Sequence, residues 1–138
     1  MPELAELKLT ANYINSAANK VKFVNAVKNP QHKCEDLNIP FKKYYIKAES
    51  RGKEIVVAIL DRYSDKIIPI RWTMGMSGFF QITNTGQEHK HAHMKFHSED
   101  GTTLSFVDVR RFGKWKQGVW WNKDRGPDPT KEFEAFKD

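Results

Sequence analysis

The chain has 138 residues, a length that suits one domain with one hydrophobic core. Its composition, 39% hydrophobic and 29% charged, is typical of a globular protein, and no apolar run approaches the roughly 18 residues that a membrane-spanning helix needs. The 23 Lys and Arg residues outnumber the 17 Asp and Glu residues, so the net charge is +6. This excess permits a phosphate-bearing partner without requiring one.

The single cysteine, Cys34, excludes an internal disulfide and the paired-cysteine zinc sites of ribbons and fingers. A free thiol is typical of a reducing compartment. The first residues are acidic and amphipathic, which is not the pattern of a secretory signal peptide. We therefore expect an intracellular protein, located in the cytoplasm of a prokaryote or the nucleus of a eukaryote.

The first predicted element is a helix over residues 3–19, because apolar residues recur there at spacings of three and four. The residues of this apolar stripe are Leu4, Leu7, Ala11, Ile14 and Ala18. Glu3 and Glu6 share another face of the first turn, where carboxylates suit the helix dipole. Pro2 precedes them and becomes a free secondary amine once Met1 is removed. Such an amine can attack an electrophilic carbon, although Pro and Glu are also ordinary residues for a helix start.

After Lys20 the pattern changes to short strands separated by turn residues. A first strand is expected at residues 21–27, followed by a loop at 30–41. The other strands are predicted at residues 43–50, 53–60, 67–74, 79–83, 91–97, 102–109 and 115–121, and a short C-terminal helix is capped by Asp128 or Thr130. Regular short strands favour a mainly β fold with flanking helices (α+β), a two-layer antiparallel β-sandwich or flattened barrel with an N-terminal helix.

Three stretches carry residues that suit a nucleic-acid ligand. Lys53 follows a glycine at a strand turn, where its ammonium can hold a phosphate or a developing oxyanion. Met76 lies in a glycine turn over residues 74–78, and an exposed Met there is an apolar wedge that can enter between bases. Arg110 can hydrogen-bond a base edge, and Phe112 can stack on one. The ordinary alternatives are a solvated lysine, a core methionine and a charged turn with one buried Phe.

The histidines raise the question of a metal site. His89, His91, His93 and His97 would share a face on one continuous strand, and transition metals bind such imidazole sets. However, no Asp, Glu or Cys is spaced to complete the site, and alternate side chains of a strand lie too far apart to share one ion. We therefore predict no metal, with histidines that contact phosphate or solvent.

Together these stretches resemble the N-terminal domain of the Fpg/Nei family of DNA glycosylase/AP lyases, and most closely its endonuclease VIII-like 1 branch. The matching motifs, in chain order, are the opening MPELAE, Arg-Gly-Lys at 51–53, Gly-Met-Ser-Gly at 75–78, His-x-His at 91–93 and Asp-x-Arg-Arg-Phe-Gly at 108–113. Each motif is weak alone, but their ordered occurrence is specific.

The resemblance implies a base-excision repair enzyme that removes oxidised bases. Pro2 would attack C1′ of the damaged nucleotide and form a Schiff base, with β- and then δ-elimination nicking the strand. Glu3 would shuttle protons, and Lys53 would bind phosphate and assist proton transfer.

The same resemblance implies roles in DNA binding. Met76, Arg110 and Phe112 would fill the gap left by the extruded nucleotide. Glu6, His91 and Arg111 match positions that support the site or bind its phosphates. The expected partner is damaged double-stranded DNA, and no membrane is expected.

The resemblance also implies a domain division. Residues 1–130 correspond to the N-terminal catalytic domain, and residues 131–138 to the start of a linker or helix toward a C-terminal domain that is missing or is supplied by a separate chain. Zinc in this family belongs to a C-terminal finger, so no cofactor is expected here. One alternative is a non-catalytic or weakly active damaged-DNA-binding domain that lacks the helix-two-turn-helix and finger domains. Another is a β-sandwich binding protein unrelated to DNA, for which the motifs would be coincidence.

Overall fold

The computed structural model describes residues 4–52 and 54–118. Within these residues the elements are α1 (Leu4–Ala17), β1 (Phe23–Lys28), β2 (Tyr44–Arg51), β3 (Glu54–Asp61), β4 (Ile67–Thr73), β5 (Phe79–Asn84), β6 (Ala92–Ser98), β7 (Thr102–Val107) and β8 (Lys114–Gln117). The predicted helix and strands are confirmed with shifts of a few residues at their ends. The predictions for Pro2, Glu3, Lys53, the end of the last strand and the C-terminal helix lie outside the described residues.

The strands form one antiparallel sheet in the order β5-β7-β6-β1-β2-β3-β4-β8. β1 and β2 are joined through one registered pair, Phe23 with Tyr44, so the sheet narrows at its centre. Trp72 of β4 nevertheless contacts Phe80 of β5 and Phe106 of β7, with ring centroids 5.1 and 5.3 Å apart. Strands so distant in the sheet order can touch only if the sheet folds over. The predicted two-layer sandwich is thus confirmed, as two halves of one sheet.

The main core lies between these two halves. Inward-facing residues of β3 and β4 pack there against those of β6 and β7, and Trp72 is fully buried among them. β3 is also buried on its other face, where Val56, Ala58 and Leu60 form a second apolar cluster. Burial on both faces explains why the sequence of this strand is a nearly continuous run of apolar residues.

Helix α1 packs on this sandwich through the predicted stripe, whose described buried members are Leu7, Ala11, Ile14 and Ala18. Two polar side chains fix its position. The Asn15 amide donates to the Ala48 carbonyl at 2.8 Å and accepts from the Ala48 amide at 2.7 Å. The Tyr13 hydroxyl accepts from the backbone amide of Ile82 at 2.9 Å. The helix is therefore hydrogen-bonded to both halves of the sheet. Because α1 has 14 residues, no helix in the described ranges is long and apolar enough to cross a membrane.

Candidate nucleic-acid interface

The connection between β4 and β5 is a tight turn that presents one methionine to solvent. The Gly78 amide donates to the Gly75 carbonyl at 3.1 Å and closes the turn. Met74 enters the core with 4% of its surface exposed, whereas Met76 at the tip is 74% exposed. The alternative of a core methionine is therefore wrong for Met76, and the side chain is available as an apolar wedge.

The loop between β7 and β8 presents a second group of exposed side chains. Arg110 and Arg111 are exposed, and 62% of the Phe112 surface is accessible. The alternative of a buried Phe in a charged turn is therefore wrong. Arg111 has a left-handed φ of 59°, and its guanidinium donates to the Gln31 side chain at 3.2 Å. That contact joins the loop to the segment after β1.

Asp108 connects these two loops. Its fully buried carboxylate accepts a hydrogen bond from the Ser77 hydroxyl at 2.5 Å, in the methionine turn. It also accepts from the backbone amides of Arg110 at 3.2 Å and Gly113 at 2.7 Å, in its own loop. Burial acts to raise the pKa of this carboxyl, but the hydrogen bonds from Ser77, Gly113 and Arg110 together outweigh it and hold the pKa below its ordinary value.

The motif glycines let the two loops touch. A Cβ placed on Gly75 would lie 3.0 Å from the Cβ of Phe112, and one on Gly113 would lie 2.3 Å from Cζ of Phe106. Both distances are shorter than normal contacts between such atoms. The glycines in the two motifs are therefore required by close packing of one loop on the other and on the core.

His93 supports the second loop from beneath. Its buried ring bonds through Nε2 to the Asp108 carbonyl at 2.6 Å and through Nδ1 to the Asn29 side-chain amide at 3.1 Å. These partners assign the proton to Nε2, because the carbonyl accepts and the amide nitrogen donates.

The four histidines do not share one face. β6 begins at Ala92, after His89 and His91, and its register shifts between Ala92 and Met94. That bulge directs His93 beneath the loop. Within residues 4–52 and 54–118, no group of three or more His, Cys, Asp or Glu side chains is arranged to hold a metal ion.

His91 lies beside the second loop. Its carbonyl accepts the Asp108 amide at 3.1 Å, and its ring is half-exposed. Partial desolvation, together with Lys90 and His89, lowers the pKa of the His91 imidazole below its ordinary value. The predicted support residue is thus next to the loop that carries Arg110 and Phe112.

Two basic cavities flank this loop. One, of about 810 Å³, has Lys33, Arg110, Arg111 and Lys114 as the charged residues of its lining. The other, of about 470 Å³, has Lys90, His91, His93, Lys95 and Arg111 as the basic residues of its lining. Neither lining contains a carboxylate, so the surface around the loop suits phosphate groups.

The structure thus brings together five of the predicted site residues, namely Met76, His91, Arg110, Arg111 and Phe112. Glu6 is exposed on α1 and lines neither cavity. The β2–β3 turn that precedes Lys53 is described up to Gly52, whose left-handed φ of 56° fits the predicted sharp turn.

Sequence reasoning missed three residues of this interface. Asp108 and Ser77 lie inside the motifs at 108–113 and 75–78, and Asn29 follows the first predicted strand, but the sequence indicates no role for any of them. Asp108 comes directly before the loop, and glycines occur in both motifs that meet there. This was the sequence feature that could have indicated its role.

The family sequence model of the formamidopyrimidine-DNA glycosylase N-terminal domain matches residues 1–115 of this chain. Endonuclease 8-like 1 from Homo sapiens is 32% identical over the whole of this chain, which covers 37% of the human protein. The Mus musculus protein of the same name is 31% identical, again over the whole chain and 38% of the mouse protein. The chain therefore spans well under half the length of these relatives.

Solved structures of low identity share the fold. A complex between a C248GH LlFpg mutant and a THF-containing DNA gives a TM-score of 0.68 at 20% identity, over 84% of this chain and 43% of that one. MutM in complex with carbocyclic 8-oxo-G containing DNA gives 0.67 at 21% identity, with the same coverage. These comparisons agree with the resemblance predicted from the ordered motifs.

Proposed function

Because this chain belongs to the family of the formamidopyrimidine-DNA glycosylase N-terminal domain, we propose that it acts in base excision repair as a DNA glycosylase/AP lyase on oxidised bases. The observation that supports this most is the joint exposure of Met76, Arg110 and Phe112 on two loops that one buried carboxylate holds together. Exposed apolar and guanidinium groups on a rigid base are suited to replacing an extruded nucleotide.

In this proposal the reaction uses the free amine of Pro2. Its nitrogen attacks C1′, the bond between C1′ and the base breaks, and the base leaves with a proton. The sugar ring opens to a Schiff base, and loss of a proton from C2′ expels the 3′ phosphate by β-elimination. A second elimination then expels the 5′ phosphate. Glu3 and Lys53 are the residues proposed to move these protons.

The chemistry suits neutral pH. An α-amino group has an ordinary pKa of about 7.7–8.0, so a useful fraction is unprotonated and nucleophilic near pH 7. A retained Met1 would instead place the Pro2 nitrogen in an amide, which is not a nucleophile.

The DNA partner is proposed from the basic cavities. The two cavities beside the loop that carries Arg110 and Phe112 have lysines and arginines in their linings and no carboxylate. Such a surface binds the phosphate backbone by releasing counterions, so affinity must fall steeply as salt rises.

A strand-cleavage assay tests the proposal. A duplex with one abasic site, labelled at the 5′ end, should be nicked to a product that ends in a 3′ phosphate, the mark of β,δ-elimination. Glu3→Gln should slow nicking while binding persists, and Lys8→Gln, on the exposed surface of α1, is the control. An uncut strand under conditions of saturated binding would contradict catalysis.

The alternative function is damaged-DNA binding without catalysis. It is favoured by the exposed Met76 and Phe112 and by the basic cavities, because these features serve DNA binding and are explained without any reaction. It predicts salt-dependent, preferential binding of an abasic-site duplex with no nicked product in the same assay.

A further inference from the structure

We propose that Asp108 is a positioning residue that locks the Met76 turn and the Arg110–Phe112 loop into one rigid unit. This unit sets how the three gap-filling side chains enter the duplex. The inference rests on the proposed function, because it concerns the same interface.

The first support is the distribution of hydrogen bonds over the carboxylate. Oδ1 accepts from the Ser77 hydroxyl of one loop and from the Arg110 amide of the other. Oδ2 accepts from the Gly113 amide, at the far end of the second loop. The group therefore ties the start and end of its own loop to the neighbouring turn.

The second support is that the bonding pattern requires an ionised carboxylate. Three donors point at two oxygens, and an ionised carboxylate is the side chain that accepts at both positions. An asparagine has nearly the same shape, but its amide would turn N–H groups toward at least one of these donors. Asp108→Asn is thus a close isostere that still opposes the contact.

The third support is that Asp108 itself cannot shift to follow a moving loop. Its amide donates to the His91 carbonyl at 3.1 Å, and its carbonyl bonds to His93 Nε2 at 2.6 Å. The side chain is completely buried. A fixed backbone with a buried carboxylate makes a stable base for both loops.

The loops are also in direct steric contact. The position of a Cβ on Gly75 is 3.0 Å from the Cβ of Phe112, so displacement of one loop moves the other. Inserting side chains between bases costs unstacking energy. Preformed geometry lowers the additional ordering cost of binding, so loss of the link should weaken recognition of the gap more than attraction to phosphate.

The test compares binding to two duplexes, one undamaged and one with an abasic analogue beside 2-aminopurine. We expect Asp108→Asn and Ser77→Ala to reduce the preference for the abasic duplex by about 10-fold and at least about 3-fold respectively, as hydrogen-bond energies suggest. Affinity for the undamaged duplex should change by less than about 2-fold, because phosphate contacts dominate it.

Fluorescence separates positioning from a general loss of structure. At saturating protein and well below the melting temperature of each variant, the wild-type chain should unstack 2-aminopurine and raise its emission. Asp108→Asn should fail to do so. Asp100→Asn is the matched control, since Asp100 accepts from Ser98 in the turn between β6 and β7, at the opposite end of these strands.

The double variant completes the test. Asp108→Asn and Ser77→Ala both disrupt the same hydrogen bond between the two residues. Their effects on the preference for the abasic duplex should therefore be less than additive in the double variant. A wild-type chain with no preference for the abasic duplex would overturn the proposed function and this inference with it. A wild-type preference that both Asp108→Asn and Ser77→Ala retain, with full 2-aminopurine emission, would overturn this inference alone.

Discussion

Asn15 joins helix α1 to the sheet, and its removal should be costly. β1 pairs with β2 only at Tyr44 in the registered part of the sheet, so the β1-facing edge of β2 needs other partners beyond that point. The half-buried Asn15 side chain supplies a donor to the Ala48 carbonyl at 2.8 Å and an acceptor for the Ala48 amide at 2.7 Å. Asn15→Ala therefore leaves one amide and one carbonyl of the strand without these partners.

The size of the effect follows from those two bonds. Each is worth about 0.5–1.5 kcal/mol, and unpaired backbone groups add to the loss. Alanine regains roughly 0.5 kcal/mol through its higher helix propensity. We expect the free energy of unfolding to fall by about 1–3 kcal/mol after these contributions are combined.

Urea unfolding measures this change, and hydrogen exchange at the Ala48 amide locates it. Asn12→Ala is the matched control, because Asn12 lies exposed on the same helix. It should leave stability unchanged or slightly raised. If Asn15→Ala stays within about 0.5 kcal/mol of the wild type, the ordinary range for surface changes, and the Ala48 amide stays protected, the assigned role of Asn15 is refuted.

Three further predictions concern the interface. Gly113→Ala should lower the free energy of unfolding by about 1–3 kcal/mol through overpacking against Phe106. The control Lys114→Ala, at the neighbouring exposed position, should change stability in urea little. The pKa of Asp108 in the folded state lies below its ordinary value of 3.8, so the carboxylate contributes fully to the free energy of unfolding above that pH. This contribution is lost as the pH falls through the folded-state pKa. In an acid titration, the stability of Asp108→Asn should therefore fall less steeply than that of the wild type. Burial, with His93 and Lys28 nearby, lowers the pKa of His32 below 6.5, so stability should fall as pH drops from 6.5 through the folded pKa. Thermal melts of His32→Phe should lack that part of the slope, and an unchanged slope would contradict the assignment.

The strands were predictable because burial leaves a direct pattern in the residues. Tyr44, Ile46 and Ala48 alternate with less buried neighbours, which is typical of a strand with one face in a core. The run from Ile55 to Leu60 is apolar at every position because β3 is covered on both faces.

The two layers were expected, but that they are halves of one sheet that folds over was not predictable in this way. It depends on the narrow junction at Phe23 and Tyr44 and on contacts of Trp72 with distant strands. Such contacts join residues far apart in the chain, and local periodicity carries no information about them.

The exposed side chains of the candidate interface were predictable from the sequence, but the residues that hold its loops in place were not. Met76 and Phe112 stand out because apolar residues in glycine turns are unusual unless they face a partner. Asp108 and Ser77 are 31 residues apart and ordinary in composition, so only their hydrogen bond shows their connection. His93 differs from its neighbours because a bulge redirects it, and a bulge is not visible in alternation alone.

Borohydride trapping tests the central claim most directly. Reduction converts a Schiff base between the chain and an abasic-site duplex into a stable covalent bond, and trypsin with mass spectrometry then locates it. We predict that the Met1-processed chain forms one adduct, on the peptide Pro2–Lys8, and that a chain retaining Met1 forms none. An adduct on another peptide, or trapping that persists with Met1 retained, would contradict Pro2 as the nucleophile.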